Sequence, residues 1–248
     1  MADRLKSCKK PKTAVHCDIP AELVTEYADI LAIPLVNVYN RIITDSCWPD
    51  AWKSEAVTVI PKCTNPADFS QLRNLSCTPV FSKVFEYFLL ERLKSECKPS
   101  TRQHGGIKGN GTDHYLINAW NYILEALDDE KGPAVSLVSV DFAKAFNTME
   151  HQSCLRQFRD HGASVESLRL IHTFLRGRKM SVKLGNSQSS PRLVPGGSPQ
   201  GTLLGNFLFI IATDQLETPN NPSLSPPGPP SPPDLSLSSP TVTDGATK

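Results

Sequence analysis

Residues 135–146, VSLVSVDFAKAF, constrain the fold more than any other stretch of this sequence. Residues 135–140 are largely apolar and rich in valine, which predicts a short buried strand. Asp141 follows, and an apolar periodicity typical of a helix begins at Phe142. The pattern therefore predicts a carboxylate at the tip of a core strand, where a metal ion or a phosphate can bind. The alternative is that Asp141 only caps the helix.

The two ends of the chain differ from its middle. Residues 218–248 hold nine of the 21 prolines and no aromatic residue. Such a segment cannot bury enough apolar surface to offset its ordering entropy, so it is predicted to be disordered. Residues 1–14 contain Lys6 and several further lysines, which predicts a solvated basic arm.

Charge and cysteine usage narrow the classes of function. The net charge is only +1, so a nucleic-acid site would have to come from local clustering of cations. The seven cysteines include no C-x-x-C pair, which favours a reducing compartment over a zinc or disulfide framework. No apolar run approaches membrane-spanning length, and the first residues lack a signal-peptide core. These features predict a soluble intracellular protein that is not secreted and contacts no membrane. They do not distinguish the nucleus from the cytoplasm.

Helices and short strands are both expected. Helical periodicity runs through residues 19–43, where Pro34 is predicted to break or kink the helix, and through residues 82–93, 114–127, 142–162, 164–177 and 202–216. Strands are predicted for residues 56–62 and for the MSVKLG segment that begins at Met180.

Cations stand at two places that suggest anion binding. Lys62 ends the first predicted strand, and Arg73 follows eleven residues later. Together they could bind a polyphosphate, although two solvated loop cations are the alternative. The densest basic cluster comprises Arg176, Arg178, Lys179 and Lys183, and it is the candidate nucleic-acid-binding patch.

Six motifs occur in a characteristic order along the chain. They are W-x4-V-x-V-I-P-K (52–62), R-N-L-S (73–76), S-K-V-F-E (82–86), Q-H-G-G-I-K-G-x-G-T (103–112), V-D-F-A-K-A-F-N (140–147) and G-G-S-P-Q-G-T-L-L-G-N-F-L-F (196–209). In this order they resemble the reverse transcriptase domain of non-LTR (LINE- or jockey-like) retrotransposons, over about residues 20–216.

The resemblance implies an α+β right-hand polymerase fold. Residues 15–130 would be the fingers and residues 131–217 an incomplete palm, with no thumb. The implied reaction is RNA-directed DNA synthesis, in which an RNA template, a DNA primer and a dNTP are the partners and Mg²⁺ is the cofactor.

The resemblance also assigns roles to individual residues. Asp141 matches a metal-binding catalytic aspartate, and Phe146 matches the side chain that closes the sugar pocket against a 2′-hydroxyl. Lys62 and Arg73 match cations that bind the incoming triphosphate. The Gln200-Gly201 turn matches a segment that lies beside the nucleotide and template.

The sequence departs from the family pattern in one way that affects the predicted activity. The aromatic-X-Asp-Asp hairpin expected after the last helix does not occur in the 248 residues. Two-metal catalysis needs several carboxylates around ions about 4 Å apart, so we expect no polymerase activity. Without the hairpin, the strand predicted at residues 135–140 would lack its palm neighbour and expose an apolar edge, so we also expect only marginal stability. Asn147, where most relatives have Asp, and Asn74, where many have Pro, are minor departures. A non-catalytic nucleic-acid-binding remnant and a decayed product without function are the alternatives.

Overall fold

The computed structural model describes residues 1–8, 19–128, 134–185 and 187–214, which combine helices with a small open sheet. This mixture of helices and strands agrees with the α+β content predicted from the sequence. The helices of the described residues are α1 (Ala2–Lys6), α2 (Ala21–Glu26), α3 (Ala28–Asp45), α4 (Val80–Glu96), α5 (Thr112–Asp128), α6 (Ala145–Thr148), α7 (His151–Asp160), α8 (Val165–Leu175) and α9 (Leu203–Thr213).

The sheet is built around its first strand. Its strands are β1 (Ser54–Pro61), β2 (Leu72–Cys77), β3 (Lys179–Leu184), β4 (Ser187–Gln188) and β5 (Arg192–Leu193). The order is β2-β1-β3-β4, and β5 also pairs with β3. β1 is antiparallel to β2 and parallel to β3, so Val57 lies opposite both Ser76 and Val182. The strands predicted near Lys62 and Met180 are therefore confirmed.

An aromatic cluster forms the centre of the core. The Trp48 ring packs 5.0 Å from Phe85 of α4 and 4.8 Å from Phe174 of α8, measured between ring centroids. All three side chains are buried. Helices α7 and α9 complete the core with residues such as Phe158 and Leu208. The long α4 thus lies against the helix that follows the P-Q-G turn, and it positions the start of that helix.

Pro34 does not break its helix in two, which was one of the two outcomes predicted from the sequence. α3 runs through Pro34 from Ala28 to Asp45, and the break falls earlier, at Tyr27. A proline removes one backbone hydrogen bond from a helix. Leu35 and Tyr39 are buried directly after it, and this tertiary packing stabilises the helix across the proline.

The strand predicted at residues 135–140 is not formed, which corrects the central expectation of the sequence analysis. These residues are irregular in structure, and Val138 is 80% exposed. A strand needs a neighbour to satisfy its backbone N–H and C=O groups. Within the described residues, no strand pairs with this segment. Its apolar content alone could not make it a core strand.

The helix predicted to run from Phe142 to Gly162 is also divided. It begins only at Ala145, as the short α6, and a second helix, α7, starts at His151. The Glu150 carboxylate accepts hydrogen bonds from the Gln152 and Ser153 N–H groups, and these bonds hold the pKa of Glu150 below its usual value. A local capping residue therefore divides the predicted helix.

The ends of the chain are described only in part. Residues 2–6 form α1, whose Leu5 is fully buried and whose Lys6 Nζ lies 2.8 Å from Asp29 Oδ2. The expectation of a solvated arm is therefore wrong for this part, while residues 9–14 and the predicted tail 218–248 lie outside the described residues. None of the described helices has the length and hydropathy needed to cross a bilayer.

Candidate functional site

A cavity of about 600 Å³ lies between the β1–β2 hairpin, the turn before α6, and β3. Four residues that the sequence analysis assigned to nucleotide binding line it: Lys62, Arg73, Phe146 and Gln200. These four residues come from four separate segments of the chain. The fold therefore brings together side chains up to 138 positions apart in the sequence numbering, from Lys62 to Gln200.

The hairpin presents the two predicted cations. Lys62 follows the last residue of β1, and its backbone N–H donates to the Gln71 carbonyl at 2.8 Å. Its Nζ donates to the Ser70 carbonyl at 2.9 Å. Arg73 lies on β2 opposite Ile60, and both cations are exposed. Antiparallel pairing places the end of one strand beside the start of the next, so the two charges share one edge of the cavity.

The start of α6 contributes Phe146, and the turn that precedes it contributes a cation that was not singled out from the sequence. Lys144 adopts a left-handed conformation with φ 53° and ψ 37°, and it forms the N-terminal boundary of α6. Lys144 and Asn147 both line the cavity. The Phe146 ring packs 5.1 Å from the Phe209 ring of α9. Lys144 belongs to the V-D-F-A-K-A-F-N motif that was found in the sequence. The predicted helix over this segment gave no sign of a turn at Lys144, and this turn separates the lysine from its neighbours.

The glycine-rich turn before α9 is docked directly on this segment. The Gly197 N–H donates to the Met149 carbonyl at 2.9 Å, and the Ser198 N–H donates to the Phe146 carbonyl at 2.7 Å. Gly197 has φ +80°, and a Cβ there would lie only 2.7 Å from the Phe146 oxygen. Only glycine tolerates both the conformation and this contact. The turn therefore fixes Gln200 and Phe146 relative to each other.

A backbone hydrogen bond fixes Gln200 from its other side. Its carbonyl accepts from the Ser76 N–H at 2.8 Å, which ties the turn to β2. Gly201, which the resemblance also assigned to nucleotide binding, has φ +103° and a virtual Cβ 3.4 Å from the Ser76 oxygen. It is not among the residues that line the cavity. Its place in the structure is the bend that leads the chain into α9.

The lining of the cavity is electropositive. Among the described residues, Lys62, Arg73 and Lys144 are the charged residues of the lining, and no Asp or Glu belongs to it. The neighbouring Asp68 accepts a hydrogen bond from the Ser70 N–H at 2.7 Å. This bond holds the pKa of Asp68 below its usual value, and the charge of Lys144 lowers it further. Three cations without a carboxylate suit a polyphosphate ligand.

Asp141 does not belong to this group of lining residues. It is exposed, it does not line the cavity, and it does not cap a helix, since Lys144 occupies the cap position. Across the described residues, no group of three or more His, Cys, Asp or Glu side chains forms a possible metal site.

The predicted basic patch is only partly exposed, because Arg178 is buried. Its side chain forms an ion pair with the equally buried Glu55, and its Nη1 donates to the Phe174 carbonyl at 3.2 Å. The expectation that Arg178 belongs to a surface patch is therefore wrong. A buried guanidinium requires such partners, and the glutamate on β1 could not be matched to it from sequence.

The remaining cations of the patch lie away from the cavity. Val182 and Leu184 of β3 line it. Side chains alternate along a strand, so Lys179 and Lys183 occupy the opposite face of the sheet. Arg176, which precedes β3, is exposed. The patch and the cavity are two separate features.

Comparison with known proteins identifies the family. A model of the reverse transcriptase (RNA-dependent DNA polymerase) family matches residues 60–225, more than half of the chain. The RNA-directed DNA polymerase from the mobile element jockey of Drosophila funebris is 29% identical over 228 residues, which cover 87% of this chain and 24% of that protein. The probable RNA-directed DNA polymerase from transposon X-element of Drosophila melanogaster is 27% identical over 222 residues, covering 88% of this chain and 24% of that protein.

A third relative gives the same picture. The probable RNA-directed DNA polymerase from transposon BS of Drosophila melanogaster is 27% identical over 191 residues, which cover 75% of this chain and 21% of that protein. The chain thus spans less than a quarter of the length of these three relatives. By its family match and by these non-LTR retrotransposon homologues, the chain belongs to the reverse transcriptase family.

Proposed function

We propose that the cavity binds the incoming deoxynucleoside triphosphate, and that the chain is the nucleotide-binding portion of an RNA-directed DNA polymerase domain. One observation carries the proposal. Lys62, Arg73, Phe146 and Gln200, which the family resemblance relates to the nucleotide, line a single cavity although they lie on separate segments. The volume of about 600 Å³ lies within the range of small-molecule sites.

Each lining residue has a specific part in this proposal. Arg73 binds the triphosphate through its planar fork, and Lys62 and Lys144 act as point charges on the same group. Phe146, held against Phe209, closes the sugar side and disfavours a ribonucleotide 2′-hydroxyl. Gln200 lies beside the base. In this arrangement the hairpin belongs to the fingers and the turn before α6 to the palm.

We further propose that this chain by itself binds nucleotide without extending a primer. A bound divalent ion supplies charge stabilisation for the transferring phosphorus, and Asp141 is the residue that would hold it. The described residues do not complete a two-metal ligand set around Asp141. We therefore derive no step of nucleotidyl transfer for this chain.

Nucleotide binding is tested by fluorescence anisotropy with a labelled dTTP. The variant Arg73→Gln should weaken binding, whereas Arg41→Gln, which removes an exposed cation on α3, should not. Phe146 is assigned to disfavour a 2′-hydroxyl, so unlabelled dTTP should displace the labelled nucleotide at lower concentrations than UTP. Failure of the wild-type protein to bind, or equal loss in both variants, would overturn the proposed site.

Primer extension tests the second part separately. Poly(rA)/oligo(dT) with dTTP and Mg²⁺ should give no incorporation by this chain. Incorporation that disappears in Asp141→Ala would show that the missing carboxylates are supplied, and that the proposal of a non-extending chain is wrong.

A nucleic-acid-binding role without chemistry is the second candidate. It is favoured by Arg176, Lys179 and Lys183, which lie apart from the cavity. Binding of the same primer–template should weaken with rising salt because phosphate contacts release counterions. Binding that is insensitive to salt would contradict this role.

A further inference from the structure

A buried glutamate reaches the start of α9 from a distant helix. Glu86 of α4 has no exposed surface. Its Oε2 accepts hydrogen bonds from the Leu203 N–H at 3.0 Å and the Leu204 N–H at 3.4 Å. Its Oε1 accepts from the Ser82 hydroxyl at 3.4 Å. The first N–H groups of α9 thus depend on a residue 117 positions earlier.

Local capping alone does not account for this contact. The Thr202 hydroxyl already accepts from the Gly205 N–H at 3.0 Å, as an ordinary N-cap residue does. Burying a carboxylate is unfavourable unless it gains strong partners. Burial accordingly raises the pKa of Glu86 to about 7, although Arg178 and the two N–H groups act in the opposite direction. The fold thus buries an ionisable carboxyl, which is unfavourable, at a point where a helix cap already exists.

The location of the contact indicates what it does. Leu203 stands three residues after Gln200, and the Gln200 carbonyl is bonded to the Ser76 N–H of β2. The turn is therefore anchored on one side to the sheet and on the other to α4. Gly201, with its positive φ, lies between the two anchors and could hinge if either were lost.

We infer that Glu86 is a positioning residue that fixes the Pro199-Gln200-Gly201 turn, so that the Gln200 side chain stays at the cavity. The inference rests on the proposed nucleotide site for its functional consequence. The geometric part, immobilisation of the turn, does not depend on nucleotide binding.

Hydrogen exchange tests the geometric part. In Glu86→Ala, the amides of Leu203 and Leu204 should exchange about tenfold faster, the order expected for losing a buried hydrogen bond. Glu86→Gln keeps an acceptor oxygen and should restore most of the protection. Glu91→Gln, an exposed position of the same helix, is the matched control. Faster exchange spread evenly over the whole core, with no rescue by Gln, would overturn the inference.

A double-mutant cycle tests the functional part. Glu86→Ala should weaken labelled dTTP binding about tenfold in the wild-type background and hardly at all in Gln200→Ala, because both substitutions remove the same contact. Equal losses in both backgrounds would show that Glu86 does not act through Gln200. If the wild-type protein binds no nucleotide, the proposed function fails, while the exchange experiment still decides the positioning role.

Discussion

Because Glu86 is buried, we expect the stability of the protein to depend on pH. One substitution isolates this dependence. Burial raises its pKa from an ordinary value of 4.5 to about 7 in the folded protein. Below pH 4.5 the carboxyl is protonated in both the folded and unfolded states, and the group contributes nothing to the pH dependence. Between pH 4.5 and 7 the unfolded chain releases this proton while the folded chain retains it.

The sign and size of this pH dependence follow from the linkage between proton binding and folding. Because the folded state binds more protons in this window, the free energy of unfolding falls as the pH rises. The slope approaches 1.4 kcal/mol per pH unit, so the total loss by pH 8 is about 3 kcal/mol. That is a large share of the 5–15 kcal/mol typical of a domain.

Urea unfolding of the wild type and of Glu86→Gln, measured at intervals from pH 4.5 to 8, provides the test. Other titrating groups cancel in the difference between the two proteins at each pH. The stability of the wild type relative to Glu86→Gln should decline by about 3 kcal/mol over this range. A difference that stays constant, or that grows with pH, would refute the account of Glu86 as a buried carboxyl with a raised pKa.

Three further predictions concern the site and its support. Arg73→Gln and Lys144→Gln should each weaken dTTP binding about tenfold, measured by anisotropy, by removing a charged phosphate contact; unchanged affinity would exclude that contact. Gly197→Ala should lower the free energy of unfolding by about 2 kcal/mol or more, seen in urea denaturation, because a Cβ there meets the Phe146 carbonyl; a neutral effect would contradict the docked turn. Glu55→Gln should lower the free energy of unfolding by about 3–5 kcal/mol, because it leaves the charge of Arg178 uncompensated. Combining it with Arg178→Met should recover most of that loss. If urea denaturation shows that the two losses simply add, the two residues do not form a buried pair.

Motif order was the informative signal in the sequence. The family, the strand that ends beside Lys62, and the turn that carries Gln200 could all be recognised in advance. These features are local, because a turn glycine or a strand-ending proline acts through its own backbone. The structure then placed these side chains around one cavity, and the proposed nucleotide site rests on that placement.

The prediction for residues 135–140 shows where local reasoning fails. A valine-rich run has a preference for extended structure, but a strand exists only when another strand pairs with it. The same limit applies to Pro34, where tertiary packing of Leu35 and Tyr39 maintained a helix that propensity would have broken.

Burial is the property that sequence patterns revealed least. Arg178 stood in the densest cluster of cations, yet the structure pairs it with Glu55 inside the protein. Glu86 belonged to a recognisable motif, but nothing in its neighbours indicated that it would reach the start of α9. Both contacts join residues more than a hundred positions apart.

The sequence by itself determined the family of this protein, most of its helices, and the side chains from which the proposed nucleotide site is drawn. Only the tertiary structure decided which of those side chains share a cavity, which cation is buried, and which carboxylate anchors the Gln200 turn. The physical reason is that backbone preferences act over a few residues. Burial, ion pairing and strand pairing instead depend on partners that folding brings from distant parts of the chain.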